Sequence, residues 1–185
     1  MQGYRICLIN GESPTDFSRI TDLQSLKTIR IAQGSAWDEI PIYHFNGIIP
    51  LESPVMGGLY PMLGLKRFDC LPLGVNEVNN IFNVQRKEYP FLAIDDKLLI
   101  HYEFPIYFYV SKSSPDIAIR FTLGLKKLTA SGEFDRLFNK HHKKNIKNLN
   151  LDARRIICLK SPLIAQEHQC EPPLVLPPIL RRAAE

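Results

Sequence analysis

The stretch TIRIAQGSAWDEIPIYHFNGIIPLESPVMGGLYPMLGLKRFDCL, residues 28–71, decides the fold class. Within it, short apolar runs at residues 28–33, 48–51 and 68–71 alternate with two longer segments of helical character. Short strands that alternate with helices at this spacing are typical of parallel strands joined by crossover helices. The stretch therefore predicts an α/β domain whose mostly parallel sheet contains these three runs.

The flanking sequence adds further strands. Residues 4–9 (YRICLI) are rich in strand-forming side chains and end at the turn Asn10-Gly11. Residues 91–94 and 106–110 also have strand character, and the second run, IYFYV, is almost continuously aromatic or β-branched. Such a run is most often a strand that is buried on both faces. We therefore expect residues 106–110 to form an inner strand.

An amphipathic helix is predicted to begin after Ser114. The tripeptide Ser114-Pro115-Asp116 supplies a capping hydroxyl, a proline at the first helical position and an acid in the first turn. Large apolar residues then recur on one face at Ile117, Phe121, Leu125 and Leu128. A stripe of this kind is stable when another surface covers it. We expect the chain either to expose this stripe or to bury it by self-association.

Charge and hydropathy argue against two classes of partner. The 23 basic and 19 acidic residues give a net charge of +4, and much of the excess lies within residues 126–155. That segment has few interleaved aromatic residues of the kind that stack on bases, so it predicts a solvated basic face and no nucleic-acid partner. No run approaches the roughly 18 apolar residues that a membrane span needs. The apolar core at residues 6–9 is shorter than the roughly seven residues of a signal-peptide core, so we expect no export signal in the chain as written.

The four cysteines give no metal framework. Cys7, Cys70, Cys158 and Cys170 are widely spaced, with no CxxC pair and no zinc-finger spacing to histidine. Cys7 and Cys70 lie in apolar runs, where a thiol usually acts as a small hydrophobe. We therefore expect free cysteines and no metal site. An even number of cysteines also permits disulfides in an oxidising compartment.

The sequence lacks the signatures of catalysis. It contains no GxSxG, HExxH or Walker loop, and no GxGxxG followed by an acid at the expected distance. The adjacent His141 and His142 point about 100° apart on a helix, so they fit a cationic helix end better than a shared metal ion. Asp95-Asp96 fits a turn better than a catalytic carboxylate pair. The sequence therefore predicts no enzyme, no catalytic residue and no cofactor.

The segment QGSAWD, residues 33–38, is the best candidate for a binding site. It falls where a predicted strand ends, and ligands of open parallel sheets bind beyond the carboxyl ends of the strands. Gly34 allows close approach of a ligand to the backbone, Ser35 offers a hydroxyl, and Trp37 lies in the same segment. Ser35 and Asp38 also have the spacing of a capping box, which is the competing structural interpretation.

Four segments resemble the type II periplasmic solute-binding proteins of ABC transporters, and most of all family 3, whose members mostly bind amino acids and other small polar solutes. The segments are YRICLI, DLQSLKTIRIAQGSAWDEIPIYHFNG, MLGLKRFDCLPLGVNEV and FPIYFYVSKSSPDIAIRFTLGLKKLTASGEFDRLF. The likeness covers about residues 4–159. The runs RFDCLPLGVNEV and YFYVSK through GEFDRLF are the most specific parts of it.

The resemblance implies a two-lobed fold of which this chain holds one near-complete lobe. Residues 10–105 would form that ligand-binding lobe, and residues 106–145 would return to the other lobe. The amino-terminal half of the other lobe would be missing, which implies an N-terminally truncated chain. Residues 160–185, with two Pro-Pro pairs, depart from the family and are predicted to be an irregular tail. The likeness also implies a periplasmic location.

The resemblance also assigns a site. Gly34 and Ser35 match the loop that receives a ligand carboxylate in amino-acid-binding relatives, and Asp69 matches an acid that often pairs with the ligand ammonium group. Leu73 departs from the pattern, because closer relatives carry a basic residue there. Gly34, Ser35, Trp37 and Asp69 are thus the predicted ligand-binding residues, and Asp69 is expected to lie beside Gly34 and Ser35 in one crevice.

The predicted function is binding of a small polar, amino-acid-like solute for delivery to an ABC-type permease, although the chain is also compatible with a non-functional fragment. One alternative is a ligand-sensing domain of a signalling protein, since sensors reuse the same lobes. Another is a dehydratase-like enzyme on the same fold. In that case Glu77 or Asp69 would have to act as the general base, and the sequence couples neither to a proton acceptor.

Overall fold

The computed structural model describes residues 3–13, 15–165, 169–170 and 176–180. The strands in these residues are β1 Tyr4–Asn10, β2 Ala32–Gly34, β3 Leu51–Ser53, β4 Leu71–Gly74, β5 Leu92–Ile94, β6 Leu98–His101 and β7 Arg155–Cys158. Within the same residues, the α-helices whose bounds are described are α1 Leu23–Leu26, α2 Ile40–Phe45, α3 Met56–Gly64, α4 Val78–Gln85, α5 Pro115–Ala130 and α6 Glu133–Ile146, and residues 178–180 are also helical. Short 3-10 helices span Phe17–Arg19, Lys147–Leu149 and Leu151–Ala153. The chain is therefore a mixed α/β protein.

The main sheet is mixed, with β1 near its centre. Its strands run in the order β4-β1-β6-β7, and β5 also pairs with β1. β1 is antiparallel to β4, β5 and β6, whereas β6 and β7 are parallel. The main sheet is thus not the mostly parallel sheet that the alternation of strands and helices predicts, because apolar periodicity carries no information on the direction of a neighbouring strand.

Parallel pairing is found where the three runs of residues 28–71 meet. β2 and β3 form a separate two-stranded parallel sheet, with Ala32 opposite Leu51. One parallel bridge between Ile31 and Cys70 joins β2 to the start of β4. The three predicted strands are therefore neighbours, but they are divided between two sheets, and each strand begins at least three residues later than predicted.

Two apolar cores lie on the two faces of β1. Tyr4, Ile6 and Leu8 face a core that contains α3 and α4, whereas Cys7 faces a second core built on the α1 and α2 side. Because side chains alternate between the faces of a strand, a strand that is covered on both sides is apolar at nearly every position. This explains why residues 4–9, YRICLI, are apolar at every position except Arg5.

The expectation of free cysteines is wrong. Cys7 is bonded to Cys70, with Cα atoms 5.0 Å apart, and Cys158 is bonded to Cys170, with Cα atoms 5.7 Å apart. The first bond joins β1 to the residue before β4, its antiparallel partner. Pairing of distant strands brings together two cysteines that are 63 residues apart in sequence. Local sequence context does not reveal such a pairing.

The described part of residues 160–185 adds to the core. Cys170 is tied to β7 by its disulfide, and Leu176 and Leu180 are buried in the core on the α3 side of the sheet. Residues 178–180 are helical, so the described part of the tail is not wholly irregular. A segment that contains Pro-Pro pairs can therefore still contribute apolar side chains to a core.

The expectation of an inner strand at residues 106–110 is also wrong. These residues form no strand, and Tyr109 is 91% exposed. No described segment lies beside them to supply ladder hydrogen bonds, so their strand propensity is not realised. The helix predicted next to them is present as α5, and the structure buries none of its side chains. Its apolar stripe is therefore exposed in the single chain.

Candidate ligand-binding site

A pocket of about 350 Å³ opens at the carboxyl ends of β2 and β4. The loop after β2, the start of α3, the end of β4 and the start of α4 all contribute to it, and β1 supplies its floor. We call it the Arg5 pocket. It is lined by Arg5, Trp37, Glu39, Met56, Leu73, Glu77 and Ile81. In α/β proteins, ligands bind in such a position, beyond the carboxyl ends of strands.

Arg5 is the charged centre of the pocket. Its side chain is only 6% exposed, and it forms ion pairs with Glu39 and, at 3.4 Å, with Glu77. Its Nε also donates a hydrogen bond of 2.8 Å to the hydroxyl oxygen of Tyr102. Burial by itself would lower the pKa of Arg5, but the interactions with Tyr102 and Glu39 outweigh it, and the pKa is raised. Arg5 is therefore a fixed cation, and each of its three guanidinium nitrogens already donates to a partner.

Glu77 is held at the mouth of the pocket by the end of β4. Its Oε1 accepts a hydrogen bond of 2.8 Å from the backbone amide of Gly74, and its own amide donates to the carbonyl of Gly74. A side chain at Gly74 would clash, since a Cβ there would lie 2.7 Å from Asn76 Oδ1 and 3.1 Å from Glu77 Oε1. The glycine thus lets the carboxylate fold over the strand end.

Trp37 forms one wall of the pocket, and Gly34 lies beneath its ring. The amide of Trp37 donates to the carbonyl of Gly34 in a tight turn, which lays the indole against the strand end. A Cβ at Gly34 would lie 2.5 Å from the indole Nε1, so only glycine fits beneath this ring. Trp37 is partly buried against the core together with Met56. The sequence correctly singled out this segment as a strand end.

Ser35 is exposed, and its amide donates to the carbonyl of Ser53. The group that it can offer to a ligand is therefore its hydroxyl.

The competing capping-box interpretation is wrong. Helix α2 begins at Ile40 with Glu39 as its N-cap, and no side chain caps it. Ser35 and Asp38 therefore lie before the helix and do not close its first turn.

Asp69 lies at the other end of β2. Its carboxylate accepts three hydrogen bonds of 2.8–3.0 Å from Arg30 and one of 3.0 Å from Thr15. It is buried, and burial raises the pKa of the carboxyl, but the hydrogen bonds from Arg30 and Thr15 outweigh this and the pKa is lowered. Gly34 is four residues beyond Arg30, a distance of about 13 Å along a strand. The structure thus does not bring Asp69 to Gly34 and Ser35. Its role in ligand binding stays a prediction.

The sequence did not point to Arg5 or Glu39, and it named Glu77 only as a possible base. One signal was available for Arg5, because an arginine inside the apolar run YRICLI needs partners when the strand is buried. Nothing in the sequence identifies those partners. Glu39 and Glu77 are 34 and 72 residues away, and only the fold brings them together.

Two general features of the described residues bear on function. They contain no group of three or more His, Cys, Asp or Glu side chains placed to hold a metal ion. Within the same residues, no helix combines the length and the apolar character needed to cross a bilayer.

No protein-family model and no curated protein sequence matches the chain. Among solved structures, it is similar to an ancestral arginine-binding protein bound to arginine, with 14% identity and a TM-score of 0.46, over 75% of this chain and 59% of that one. It is also similar to a mutant of ArgBP from T. maritima, with 19% identity and a TM-score of 0.42, over 75% and 57% of the two chains. An ancestral arginine-binding protein bound to glutamine gives 15% identity and a TM-score of 0.43, over 75% and 59%. The chain spans less than two thirds of the length of each.

Proposed function

We propose that the chain binds a small polar, amino-acid-like solute in the Arg5 pocket and delivers it to the permease of an ABC transporter. The observation that carries the proposal is the composition of the pocket, in which Glu77 and a buried Arg5 lie beside an indole and three aliphatic side chains. Its volume of about 350 Å³ falls within the range of roughly 300–1,000 Å³ that is usual for ligand pockets. The permease partner rests on the sequence resemblance.

Within this proposal, the predicted site residues have distinct roles. The hydroxyl of Ser35 binds the ligand carboxylate at the rim, and Gly34 lets the neighbouring Trp37 ring lie against the strand end. Trp37 covers the body of the ligand with its ring. Asp69 acts indirectly, since its contacts with Arg30 hold the strands that carry the pocket in register.

The lining also favours binding over catalysis. The described lining residues include no serine, cysteine, histidine or lysine, and within the described residues no hydrogen bond couples the Ser35 hydroxyl at the rim to a base. The two acids are held by Arg5 and by the amide of Gly74. We therefore propose a binding protein and not an enzyme.

The two disulfides support an oxidising compartment, because disulfides persist in secreted and periplasmic proteins and are rare in the cytosol. A periplasmic location is part of the proposal for this reason.

The test uses Trp37, which is the single tryptophan of the sequence and lines the pocket. Its fluorescence is followed while the chain is titrated with L-lysine, L-glutamine, L-leucine and L-glutamate, and calorimetry is run in parallel. We expect a saturable change with at least one of them. Ser35→Ala should weaken that binding by roughly tenfold, which is the value of one hydrogen bond to a charged group. No saturable signal with any ligand by either method would refute the proposal.

A further inference from the structure

We infer that the solute is an organic cation with an aliphatic body, that is, an ammonium or guanidinium group on a methylene chain. This inference rests on the proposed function and names the ligand class of the same pocket. It follows from which of the lining charges are free to meet a ligand.

The positive charge of the pocket, which Arg5 carries, is already paired with groups of the protein itself. Arg5 is buried, and its guanidinium donors are directed to Tyr102, Glu39 and Glu77. An anionic ligand would have to compete for Arg5 with the partly exposed Glu77 or with the almost covered Glu39, which would be left unpaired in a site of low dielectric constant. Arg5 is therefore a poor receptor for a ligand anion.

The negative charge is in excess and is exposed. Glu39 and Glu77 against Arg5 leave the described lining with one net negative charge. Glu39 is almost covered, whereas the Glu77 side chain is 44% exposed. The hydrogen bonds found for Glu77 within the described residues use Oε1, and Oε2 takes part in none of them. Glu77 therefore presents an oriented carboxylate oxygen to the pocket.

The remaining lining suits a chain of methylene groups. Met56, Leu73 and Ile81 are apolar, and Trp37 adds an aromatic ring that attracts a cation over its face. Burial of each methylene group contributes to affinity irrespective of charge, so the apolar wall sets the length of the ligand and Glu77 sets its charge. A ligand whose chain ends in a neutral aliphatic group gains the free energy of methylene burial but not the interaction with Glu77.

The decisive comparison is L-lysine against L-norleucine, which share the same aliphatic chain and differ in the terminal amine. Titration followed by Trp37 fluorescence should show that L-lysine binds more tightly by roughly ten- to a hundredfold, as expected for a charge-assisted hydrogen bond. L-Glutamate, which brings a second anion, should bind more weakly than L-norleucine.

A variant locates the effect. Glu77→Gln keeps the acceptor for the Gly74 amide and removes the charge, so the affinity for L-lysine should fall to that for L-norleucine, while the affinity for L-norleucine should not change. Glu52→Gln is the matched control, because Glu52 is an exposed acid on β3 outside the pocket, and it should leave both affinities unchanged.

The outcomes separate this inference from the proposed function. If L-norleucine or L-glutamate binds as tightly as L-lysine, the cationic ligand class is wrong while solute binding stands. If no amino acid gives a saturable signal, the proposed function fails as well. The comparison of the two ligands needs no variant, so it decides the question even if Glu77→Gln does not fold.

Discussion

Asp69 and Glu77 show how two acids near the same strand acquire different roles. Both oxygens of Asp69 accept hydrogen bonds, from Arg30 and Thr15, and the residue is buried. Glu77 is partly exposed and uses one oxygen. A buried acid must be satisfied by the protein itself, whereas an exposed one is available to a ligand. Burial and partners, more than position in a motif, therefore distinguish the structural acid from the binding acid.

At Asp69, we expect Asp69→Asn to lower the free energy of unfolding at neutral pH by about 1–2 kcal/mol. The amide keeps the hydrogen bond from the Arg30 backbone but loses the ion pair, and the Arg30 side chain is mostly exposed, so solvent screens that pair. Urea denaturation at pH 7 measures the change. The affinity of the Arg5 pocket for its best ligand should not change. A variant that is as stable as the parent but binds more weakly would instead favour a direct ligand role for Asp69.

The same substitution has a pH signature. The pKa of Asp69 is lowered in the folded chain relative to the unfolded value of about 3.9, so its stabilising contribution is complete above that value and is lost as the pH falls through the folded pKa. The difference in stability between the parent and Asp69→Asn should be constant near neutrality and shrink in acid. Denaturation midpoints at several pH values test this. A stability difference between the parent and Asp69→Asn that grows as the pH falls would contradict this prediction.

At the scale of elements, Arg154 fixes the corner between β5 and β6. Its Nη1 donates hydrogen bonds of 2.6 and 3.0 Å to the carbonyls of Asp95 and Leu98, and its Nε donates to the carbonyl of Leu149. The carboxylate of Asp95 lies 3.7 Å away and is also buried. Burial raises the pKa of Asp95 despite hydrogen bonds from the amides of Leu98 and Lys97. One guanidinium thus donates hydrogen bonds to three buried carbonyls. It also lies beside a buried carboxyl group whose ionisation is disfavoured by burial.

We therefore expect Arg154→Met to destabilise the chain by about 3–5 kcal/mol, because it leaves a buried carboxylate without its counter-ion and buried carbonyls without their donor. The control is Arg136→Met, which removes an exposed pair with Glu133 on α6 and should cost less than about 1 kcal/mol. Chemical denaturation of both variants gives the comparison. Equal losses in the two variants would show that Arg154 does not act as a buried anchor.

The disulfides give a second test at this scale. The Cys7–Cys70 bond links residues 63 apart in sequence, and the Cys158–Cys170 bond links residues 12 apart. In the chain-entropy model, their removal costs about 4 and about 3 kcal/mol respectively. Replacement of each pair by alanine, followed by thermal and urea denaturation, should show the larger loss for Cys7–Cys70. A larger loss for the shorter loop would mean that packing of the tail outweighs chain entropy.

The sequence predicted elements well where a local pattern determines them. The amphipathic helix α5 is found as predicted, with Pro115 at its start, although the Ser114 side chain does not cap it, and the three runs of residues 28–71 are neighbours. The prediction failed where the structure of a segment depends on a partner that is distant in sequence. Residues 106–110 have the composition of a strand but no neighbour to pair with, and the Cys7–Cys70 bond depends on antiparallel pairing. For the site, Gly34 and Trp37 could be found because a strand end and a glycine are local signals, whereas the partners of Arg5 could not.

For the whole molecule, the distribution of apolar surface is uneven. The two cores around β1 are closely packed, whereas a continuous part of the chain from Ile106 to Leu137 exposes most of its large apolar side chains. Phe108 and Phe121 contact each other, with ring centroids 5.5 Å apart, so residues 106–110 cover only part of α5. Exposed apolar surface on this scale is uncommon in monomeric soluble proteins.

We expect this surface to bind hydrophobic dye and to cause self-association as the protein concentration rises, because each large apolar side chain gains about 1.5–3 kcal/mol on burial. Ile119→Lys places a charge on α5, whose side chains are not buried, so it should reduce both effects without lowering the melting temperature. Ile49→Lys is the control, since Ile49 is equally apolar and well exposed but lies outside the surface between Ile106 and Leu137, and it should leave both effects unchanged. Dye fluorescence and sedimentation velocity over a concentration series give the readouts. A chain that sediments as a monomer at all concentrations and binds no dye would show that the surface of α5 is covered in solution.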